Sequence, residues 1–161
     1  MTDLKGLLTL LAKGQIEFII VGGVAASLHG SARVTHDLDI VYSRSRENLR
    51  RLVAALSRHR PYLRGAPPGL PFSWDDETLR AGLNFTLQTD LGNLDLLGEI
   101  AGGGGYEDLD GHTIQVEAFG LALRCLDLET LLRVKKAAGR PRDLEVIAEL
   151  LVILEEREPR R

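Results

Sequence analysis

The strongest constraint on the fold comes from residues 18–42, where a glycine pair lies between two short apolar runs. The first run, 16–21, reads as a buried strand that ends at Gly22-Gly23. The second run, 37–42, reads as a strand that carries Asp37 and Asp39, separated by one leucine. Alternate residues of a strand share one face, so both carboxylates point the same way. This face could hold a divalent cation against a phosphate group.

The composition places the chain among ordinary globular proteins. Its 161 residues are 44% hydrophobic and 27% charged, which fits one domain with a core of its own. The formal net charge of −3 excludes the overall basic surface of a dedicated nucleic-acid binder. Cys125 is the single cysteine and lies in an apolar run, so we expect a buried structural thiol and no intramolecular disulfide.

The sequence shows no targeting or membrane signal. The N-terminus lacks a basic start followed by an apolar signal core, and no apolar run reaches the length that spans a bilayer. We therefore expect a cytoplasmic protein that has no membrane partner.

Periodicity and turn residues predict alternating helices and strands over most of the chain. Helices are predicted at 3–13, 24–29, 46–58, 128–138 and 142–156, and strands at 16–21, 37–42, 83–89, 93–97 and 112–119. A short apolar segment is expected between residues 119 and 128. The order of elements predicts a mixed α/β, or α+β, domain over 1–161, with a partly antiparallel sheet in a core at about 15–120 and C-terminal helices at about 127–157.

Two segments are predicted to be irregular. Residues 59–82 contain four prolines together with Gly65 and Gly69, which break any regular pattern, and a loop of this length is often a binding element. Within it, Phe72 and Trp74 could stack on a nucleobase, but we favour the interpretation that they anchor the loop. The run Gly102 to Gly105 lacks the Lys-Ser or Lys-Thr of a P-loop, so a flexible connector is expected.

A third acid completes the candidate site. Asp95 lies in an alternating apolar strand, 93–97, and projects from one face. Together with Asp37 and Asp39 it could form a three-carboxylate site for Mg²⁺, which prefers oxygen ligands. His29 and His36 are expected to be helix-end or loop residues, because no His/Cys spacing indicates zinc.

These residues resemble the signature of the DNA polymerase beta-type nucleotidyltransferase superfamily. The matching features are Gly22-Gly23, then Asp37 and Asp39, then Asp95 within an apolar strand. Small bacterial nucleotidyltransferase-like proteins, including abortive-infection-type toxins, are more closely similar, through the runs 21–25, 29–40 and 131–144. The resemblance implies a nucleotidyltransferase-like mixed sheet flanked by helices.

The resemblance also implies an activity, namely transfer of a nucleoside monophosphate from an NTP to an acceptor with loss of pyrophosphate. Asp37, Asp39 and Asp95 would then be catalytic and would hold Mg²⁺ or Mn²⁺, with Asp95 able to accept the proton of the attacking hydroxyl. Gly22 and Gly23 would bind the nucleotide's phosphates through the backbone.

Three basic residues are candidates for phosphate or acceptor contacts. Arg33 and Lys135 are assigned to nucleotide binding because their charge complements a triphosphate. Arg140 is a weaker candidate, since it can also pair with Asp143.

The sequence leaves the acceptor and the setting open. A tRNA end, a protein hydroxyl or a small molecule would use the same centre, and a toxin–antitoxin setting with a cognate partner is one expectation. The alternative is a non-catalytic nucleotide-binding or antitoxin-like regulatory partner that retains the fold. A metal-dependent phosphatase or nuclease is a third option.

Overall fold

A computed structural model describes residues 1–158, and within that range the chain forms seven strands and seven α-helices. The strands are β1 Phe18–Val21, β2 Asp37–Tyr42, β3 Tyr62–Leu63, β4 Phe85–Thr89, β5 Gly92–Leu97, β6 Thr113–Ala118 and β7 Leu121–Leu126. The helices are α1 Leu4–Lys13, α2 Gly22–Leu28, α3 Arg46–Leu56, α4 Asp76–Ala81, α5 Tyr106–Leu109, α6 Leu128–Ala138 and α7 Leu144–Arg157. Residues 159–161, the end of the predicted domain 1–161, lie outside the described range.

All seven strands belong to one mixed sheet. Their order is β3-β4-β5-β2-β1-β7-β6. The pairs β1–β7 and β2–β5 are parallel, and the other neighbours are antiparallel. The predicted α+β class with a partly antiparallel sheet is therefore confirmed.

The core is aliphatic and extends through the central strands and the helices packed on them. The strand β1 is buried at every position, as expected for a strand covered on both faces. Helix α1 buries Leu7, Leu8 and Leu11 at helical spacing, and Asp3 caps its N-terminus by accepting from the Gly6 amide. Helix α7 packs against α6, which itself contacts α2. The C-terminal helices therefore pack on the same side of the sheet as α2, which contacts β1 and β2.

One segment that the pattern left unassigned is a full strand. Residues 121–126, predicted only as a short apolar segment, form β7, which pairs with β6 from Ala118↔Leu121 to Thr113↔Leu126. Phe119 and Gly120 make the two-residue turn between them, both with positive φ. The side chains of β7 alternate in burial up to Cys125, but the exposed Ala122 and the buried Leu126 are both apolar, so the sequence does not show this alternation clearly.

The middle segment is more ordered than the predicted loop. It contains a 3-10 turn at Ser57–His59, the short strand β3 and the helix α4, capped by Asp75. The Trp74 indole N–H donates to the Val53 carbonyl at 3.1 Å, and Phe72 packs edge-on against Tyr62. The expectation that these two aromatic residues anchor the segment agrees with these contacts.

The glycine run is a packed turn and not a loose connector. Ile100 and Gly104 form a bridge in which the Ile100 amide donates to the Gly104 carbonyl at 2.9 Å. A Cβ on Gly102, whose φ is +76°, would lie 2.6 Å from the Cβ of Ala137 on α6. Glycine is required here because the turn crosses directly over a helix.

No helix among residues 1–158 is long and apolar enough to cross a membrane.

Candidate active site

The sheet brings the three predicted acids together on two neighbouring interior strands. Strands β2 and β5 are parallel neighbours, and their register sets Asp39 opposite Asp95 and Asp37 opposite Asn93. The intervening Leu38 is fully buried on the other face. Alternation along both strands therefore gives a face with acids at adjacent positions, as the sequence predicts.

Gly22 gives the Asp39 carboxyl its space. It begins α2 directly after β1 and has a φ of +66°, which favours glycine. A Cβ at this position would lie 2.2 Å from Oδ2 of Asp39. The glycine is thus required by the close approach of the carboxyl as well as by the backbone turn.

Gly23 is tight for a different reason. Its added Cβ would lie 2.8 Å from Oγ1 of Thr35, whose hydroxyl donates to the Asp37 carbonyl at 3.1 Å. The space beside Gly23 is therefore occupied by a hydroxyl from the loop before β2. The sequence pattern did not single out Thr35.

The Asp39 carboxyl is in an unfavourable environment for a lone negative charge. Burial, together with the neighbouring Asp95 and Asp37 carboxyls, raises its pKa from 3.8 to about 7. Its Oδ1 atom is buried and has no hydrogen-bond partner among the described residues. A buried carboxylate oxygen without a donor next to a second carboxylate fits a divalent cation, which would offset both charges.

Asp37 and Asp95 already have a cationic neighbour. Arg64 donates from Nη2 to Oδ1 of Asp95 at 2.6 Å, and its Nη1 lies 3.7 Å from Oδ2 of Asp37. The Asn93 side chain donates to Oδ1 of Asp37 at 2.9 Å. In this arrangement no three His, Cys, Asp or Glu side chains within residues 1–158 form a group ready to hold a metal ion. A three-carboxylate metal site therefore stays a prediction, and the Arg64 contacts with Asp37 and Asp95 would have to break for it to form.

Lys135 reaches the site from α6 as a buried cation. Only 6% of its side chain is exposed, and its Nζ lies 3.8 Å from Oδ1 of Asp143. Burial lowers the pKa of Lys135, although the Asp143 carboxylate acts in the opposite direction. Arg140 donates from Nε to the other oxygen of Asp143 at 2.9 Å. One carboxylate therefore positions two cations, and the predicted Arg140–Asp143 pair is present.

Arg33 lies on the rim of the site. Its Nη2 pairs with Glu145 at the start of α7, and about half of the Arg33 side chain is exposed. This contact joins the loop before β2 to α7. Its role in nucleotide binding stays a prediction.

Two cavities meet at the acids. The first, of about 480 Å³, is polar and is lined among others by Gly22, Gly23, Arg33, Thr35, Asp37, Asp39, Asp95, Lys135, Arg140 and Arg142. The second, of about 290 Å³, is mostly aliphatic and runs between β5, α6 and the glycine turn, lined by Val21, Leu97, Ile100, Ala101, Leu131, Val134 and Ala138. The residues Gly22, Asp39, Asp95, Lys135 and Arg140 line both cavities. A phosphate-bearing ligand and an apolar ligand could thus meet beside Asp39 and Asp95.

The two histidines near the site differ in role. His29 ends α2 and is buried, with its Nε2 2.7 Å from the Leu126 carbonyl. The Arg157 guanidinium contacts His29 Nδ1 and carbonyl. This agrees with the predicted helix-end role. His36 lies in the loop before β2 and lines the polar cavity.

Comparison with known proteins gives structural matches without sequence matches. No protein-family model matches the chain, and no curated protein matches its sequence. The crystal structure of the lincosamide antibiotic adenylyltransferase LnuA, lincomycin-bound, aligns with a TM-score of 0.63 at 16% identity, covering 94% of this chain and 96% of that one.

Two further solved structures agree with this match. A proposed nucleotidyltransferase from Thermotoga maritima aligns with a TM-score of 0.56 at 19% identity, covering 94% of this chain and 96% of that one. An antigenic nucleotidyltransferase-like protein from Paracoccidioides brasiliensis gives 0.55 at 15% identity, covering 98% and 76%. The chain has a nucleotidyltransferase-like fold. At these identities the matches show the fold alone, and none of them points to the abortive-infection branch.

The sequence pattern indicates the acids, the glycines and the basic residues of the site, but not the groups that pair with these charges in the fold. Arg64 lies in the segment that no motif covered, and Asn93 was only the flank of Asp95. Asp143 was noted as a partner of Arg140 but not of Lys135. An ion pair between residues that are far apart in the chain leaves no recognisable pattern in the local sequence.

Proposed function

We propose that this protein is a metal-dependent nucleotidyltransferase that moves a nucleoside monophosphate from an NTP to a hydroxyl acceptor. The observation that supports it best is the pairing of Asp39 and Asp95 across β2 and β5, with one buried Asp39 oxygen lacking a donor. The nucleotidyltransferase-like fold supports the same reaction class. Fold by itself does not establish an activity.

The polar cavity is the proposed nucleotide site. It contains Arg33, Lys135, Arg140 and Arg142, whose charges complement a triphosphate, and the glycine pair lies on its wall. Arg33 and Lys135 are already oriented by Glu145 and Asp143. The polyphosphate would therefore enter a site whose cations are pre-organised, which lowers the cost of ordering them.

The acids Asp37, Asp39 and Asp95 are proposed to hold Mg²⁺ or Mn²⁺ once the Arg64 contacts with Asp37 and Asp95 break. When bound, the cation would offset charge on the triphosphate and at the reacting phosphorus. The acceptor oxygen would form a bond to the α-phosphorus as the bond to pyrophosphate breaks. Asp95 would take the proton from the acceptor hydroxyl.

The aliphatic cavity favours a small hydroxyl compound as the acceptor over a tRNA end or a protein side chain. Its walls are aliphatic along one side and reach Asp95 at one end. The LnuA structure contains lincomycin, a small molecule. ATP as donor, a cytoplasmic location and a toxin–antitoxin setting stay open proposals.

The test is incubation of purified protein with each α-labelled NTP and Mg²⁺ or Mn²⁺, in three arms: a pool of small hydroxyl metabolites, total tRNA, and cell protein. The Asp39→Asn variant is the site control, and Asp76→Asn, on α4 beside the exposed Arg50, is the matched control. Label in one arm that is lost only with Asp39→Asn supports the proposal. Hydrolysis of phosphoesters without NTP would instead indicate a phosphatase or nuclease.

A non-catalytic nucleotide-binding partner is the second candidate. The observation that favours it is the Arg64 contact, because Asp37 and Asp95 already have a cationic partner in the absence of a metal ion. Binding of an NTP to the polar cavity without transfer in any arm, together with co-purification of a stoichiometric protein, would favour this reading.

A further inference from the structure

Arg64 reaches the acids from the middle segment, directly after β3. Its backbone amide donates to the Thr86 carbonyl at 3.0 Å, which extends the pairing of β3 with β4 by one residue. Strand β4 in turn pairs with β5, where Thr86 is opposite Asp95. The Arg64 side chain therefore extends from the edge strand β3 across β4 to Asp95 on β5.

The guanidinium lies between two of the candidate metal ligands. Nη2 donates to Oδ1 of Asp95 at 2.6 Å and also to the Leu87 carbonyl at 2.9 Å. Nη1 lies 3.7 Å from Oδ2 of Asp37. The side chains of Arg64 and Asp95 are only 24% and 20% exposed, so solvent screens this pair weakly.

The contact is not that of a fully satisfied structural arginine. Its Nε is buried and has no hydrogen-bond partner among residues 1–158. An arginine retained for packing alone usually has its buried donors paired, because an unpaired donor costs free energy. The guanidinium also does not form the strong bidentate pair with a single carboxylate, because one of its nitrogens faces Asp95 and the other faces Asp37.

We infer that Arg64 is an internal counter-ion of the carboxylate site, which holds Asp37 and Asp95 in the cation-free protein and has to withdraw for a divalent cation to bind both. The inference rests on the proposed function only in taking these acids as cation ligands. A guanidinium and a divalent cation compete for the negative charge of the same two carboxylates, so binding of one weakens binding of the other.

This competition has two consequences. It weakens cation binding in the absence of nucleotide, because the Arg64 contacts must break first. It also couples the site to the segment at 60–75, since Arg64 directly follows β3 within that segment. The segment at 60–75, which matches no motif, thus supplies the counter-ion of the carboxylate site.

The first measurement is the affinity for Mn²⁺ alone, by electron paramagnetic resonance of free Mn²⁺, in chelator-treated protein. Arg64→Gln removes the guanidinium, and Arg58→Gln removes the same charge from an exposed turn that does not contact the acids. We expect Arg64→Gln to bind Mn²⁺ about tenfold or more tightly than the parent protein, and Arg58→Gln to remain within about twofold.

The second measurement separates withdrawal from simple loss of charge. Arginines of the parent protein are modified with phenylglyoxal with and without saturating Mn²⁺, and the modified sites are mapped by mass spectrometry. We expect Arg64 to be protected without Mn²⁺ and to become reactive with it, while Arg58 reacts equally in both states. Arg64 that stays protected at saturating Mn²⁺ would overturn the inference, whatever the affinities.

The outcomes also distinguish this inference from the proposed function. If the parent protein binds Mn²⁺ but Arg64→Gln binds it no more tightly, the counter-ion role is wrong and the cation site stands. If neither protein binds Mn²⁺, nor does either with an NTP analogue, both the inference and the metal-dependent reaction are wrong. Unchanged far-ultraviolet circular dichroism of both variants shows that each has folded.

Discussion

At the scale of single residues, the Asp39 carboxylate is costly in the cation-free protein. Asp39 is close to two other carboxyls and is largely buried, so its charged form is disfavoured. Proteins accept such costs at functional sites because the same charges bind a ligand strongly. Substitution of Asp39 therefore gives opposite expectations for stability and for cation binding.

The stability of the cation-free protein should depend on pH through Asp39. The folded state holds this proton up to a pKa of about 7, whereas its ordinary value is 3.8. The free energy of unfolding therefore falls as pH rises across that window, because the folded state binds the proton that the unfolded chain releases. We expect Asp39→Asn to be more stable than the parent at pH 8 by on the order of 2–4 kcal/mol.

Urea denaturation with chelator at pH 5 and pH 8 measures this difference, which should shrink toward pH 5. The variant Glu99→Gln is the control, since Glu99 is exposed. A stability gain for Asp39→Asn that is equal at both pH values would show that the carboxyl carries no raised pKa.

Lys135 and its neighbour Lys136 offer a matched pair. Lys135 is buried beside Asp143 and lines the polar cavity, while Lys136 is exposed on the same helix. We expect Lys135→Met to weaken binding of a non-hydrolysable NTP analogue about tenfold or more, because a pre-organised cation is lost. Lys136→Met should change it less than about twofold, as titration calorimetry would measure. Equal losses in both variants would mean that only general charge matters.

At the scale of elements, glycines decide where helices and turns can approach one another. Gly22 lets β1 turn into α2 against the Asp39 carboxyl, and Gly102 lets the turn after β5 cross α6. The second contact closes the aliphatic cavity on one side through Ile100 and Ala101. The glycine run thus shapes a wall of the candidate site.

The packed turn predicts a large effect at one glycine and none at another. Gly102→Ala places a Cβ 2.6 Å from the Cβ of Ala137 at a φ of +76°, whereas Gly111 has open space around it and no positive φ. We expect Gly102→Ala to lower the free energy of unfolding by about 1–3 kcal/mol, and Gly111→Ala to leave it nearly unchanged. Urea denaturation decides between them. Similar stability of both variants would support a flexible connector instead.

At the scale of the whole molecule, one sheet joins the N-terminal half to the C-terminal helices. Strand β1 pairs with β2 on one side and with β7 on the other, so the site strands and the strand that leads into α6 share a core. His29 and Arg157 join the ends of α2 and α7 beside it. We therefore expect the strands β1 and β2 and the C-terminal part from β7 to α7 to unfold together.

The reactivity of Cys125 reports this cooperativity. The thiol is fully buried in β7, and burial raises its pKa to about 11. We expect almost no reaction with a disulfide reagent at pH 8 in the folded protein and complete reaction in urea, with a midpoint that matches that of circular dichroism. The exposed Lys5→Cys variant is the control and should react at once. Rapid labelling of Cys125 under native conditions would indicate separate opening of the C-terminal half.

Period-two alternation and glycine positions allowed the sequence to predict most of the fold. They identified the strands of Asp37, Asp39 and Asp95, the class of the sheet and the helices at both ends, because these signals are local. The strand at 121–126 was missed because the exposed Ala122 and the buried Leu126 are both apolar, which conceals the alternation in the sequence. The turn at Gly102 was misjudged because its tightness depends on Ala137, 35 positions away in the chain.

The sequence by itself determined the inventory of the candidate site: three acids in two strands, a glycine pair and several cations. Only the tertiary structure decided how these charges are paired. It set Asp39 opposite Asp95, gave Asp143 to Lys135 and Arg140, and brought Arg64 to Asp37 and Asp95. The physical reason is that strand registry and helix packing, which join distant segments, fix the distances on which electrostatic energies depend.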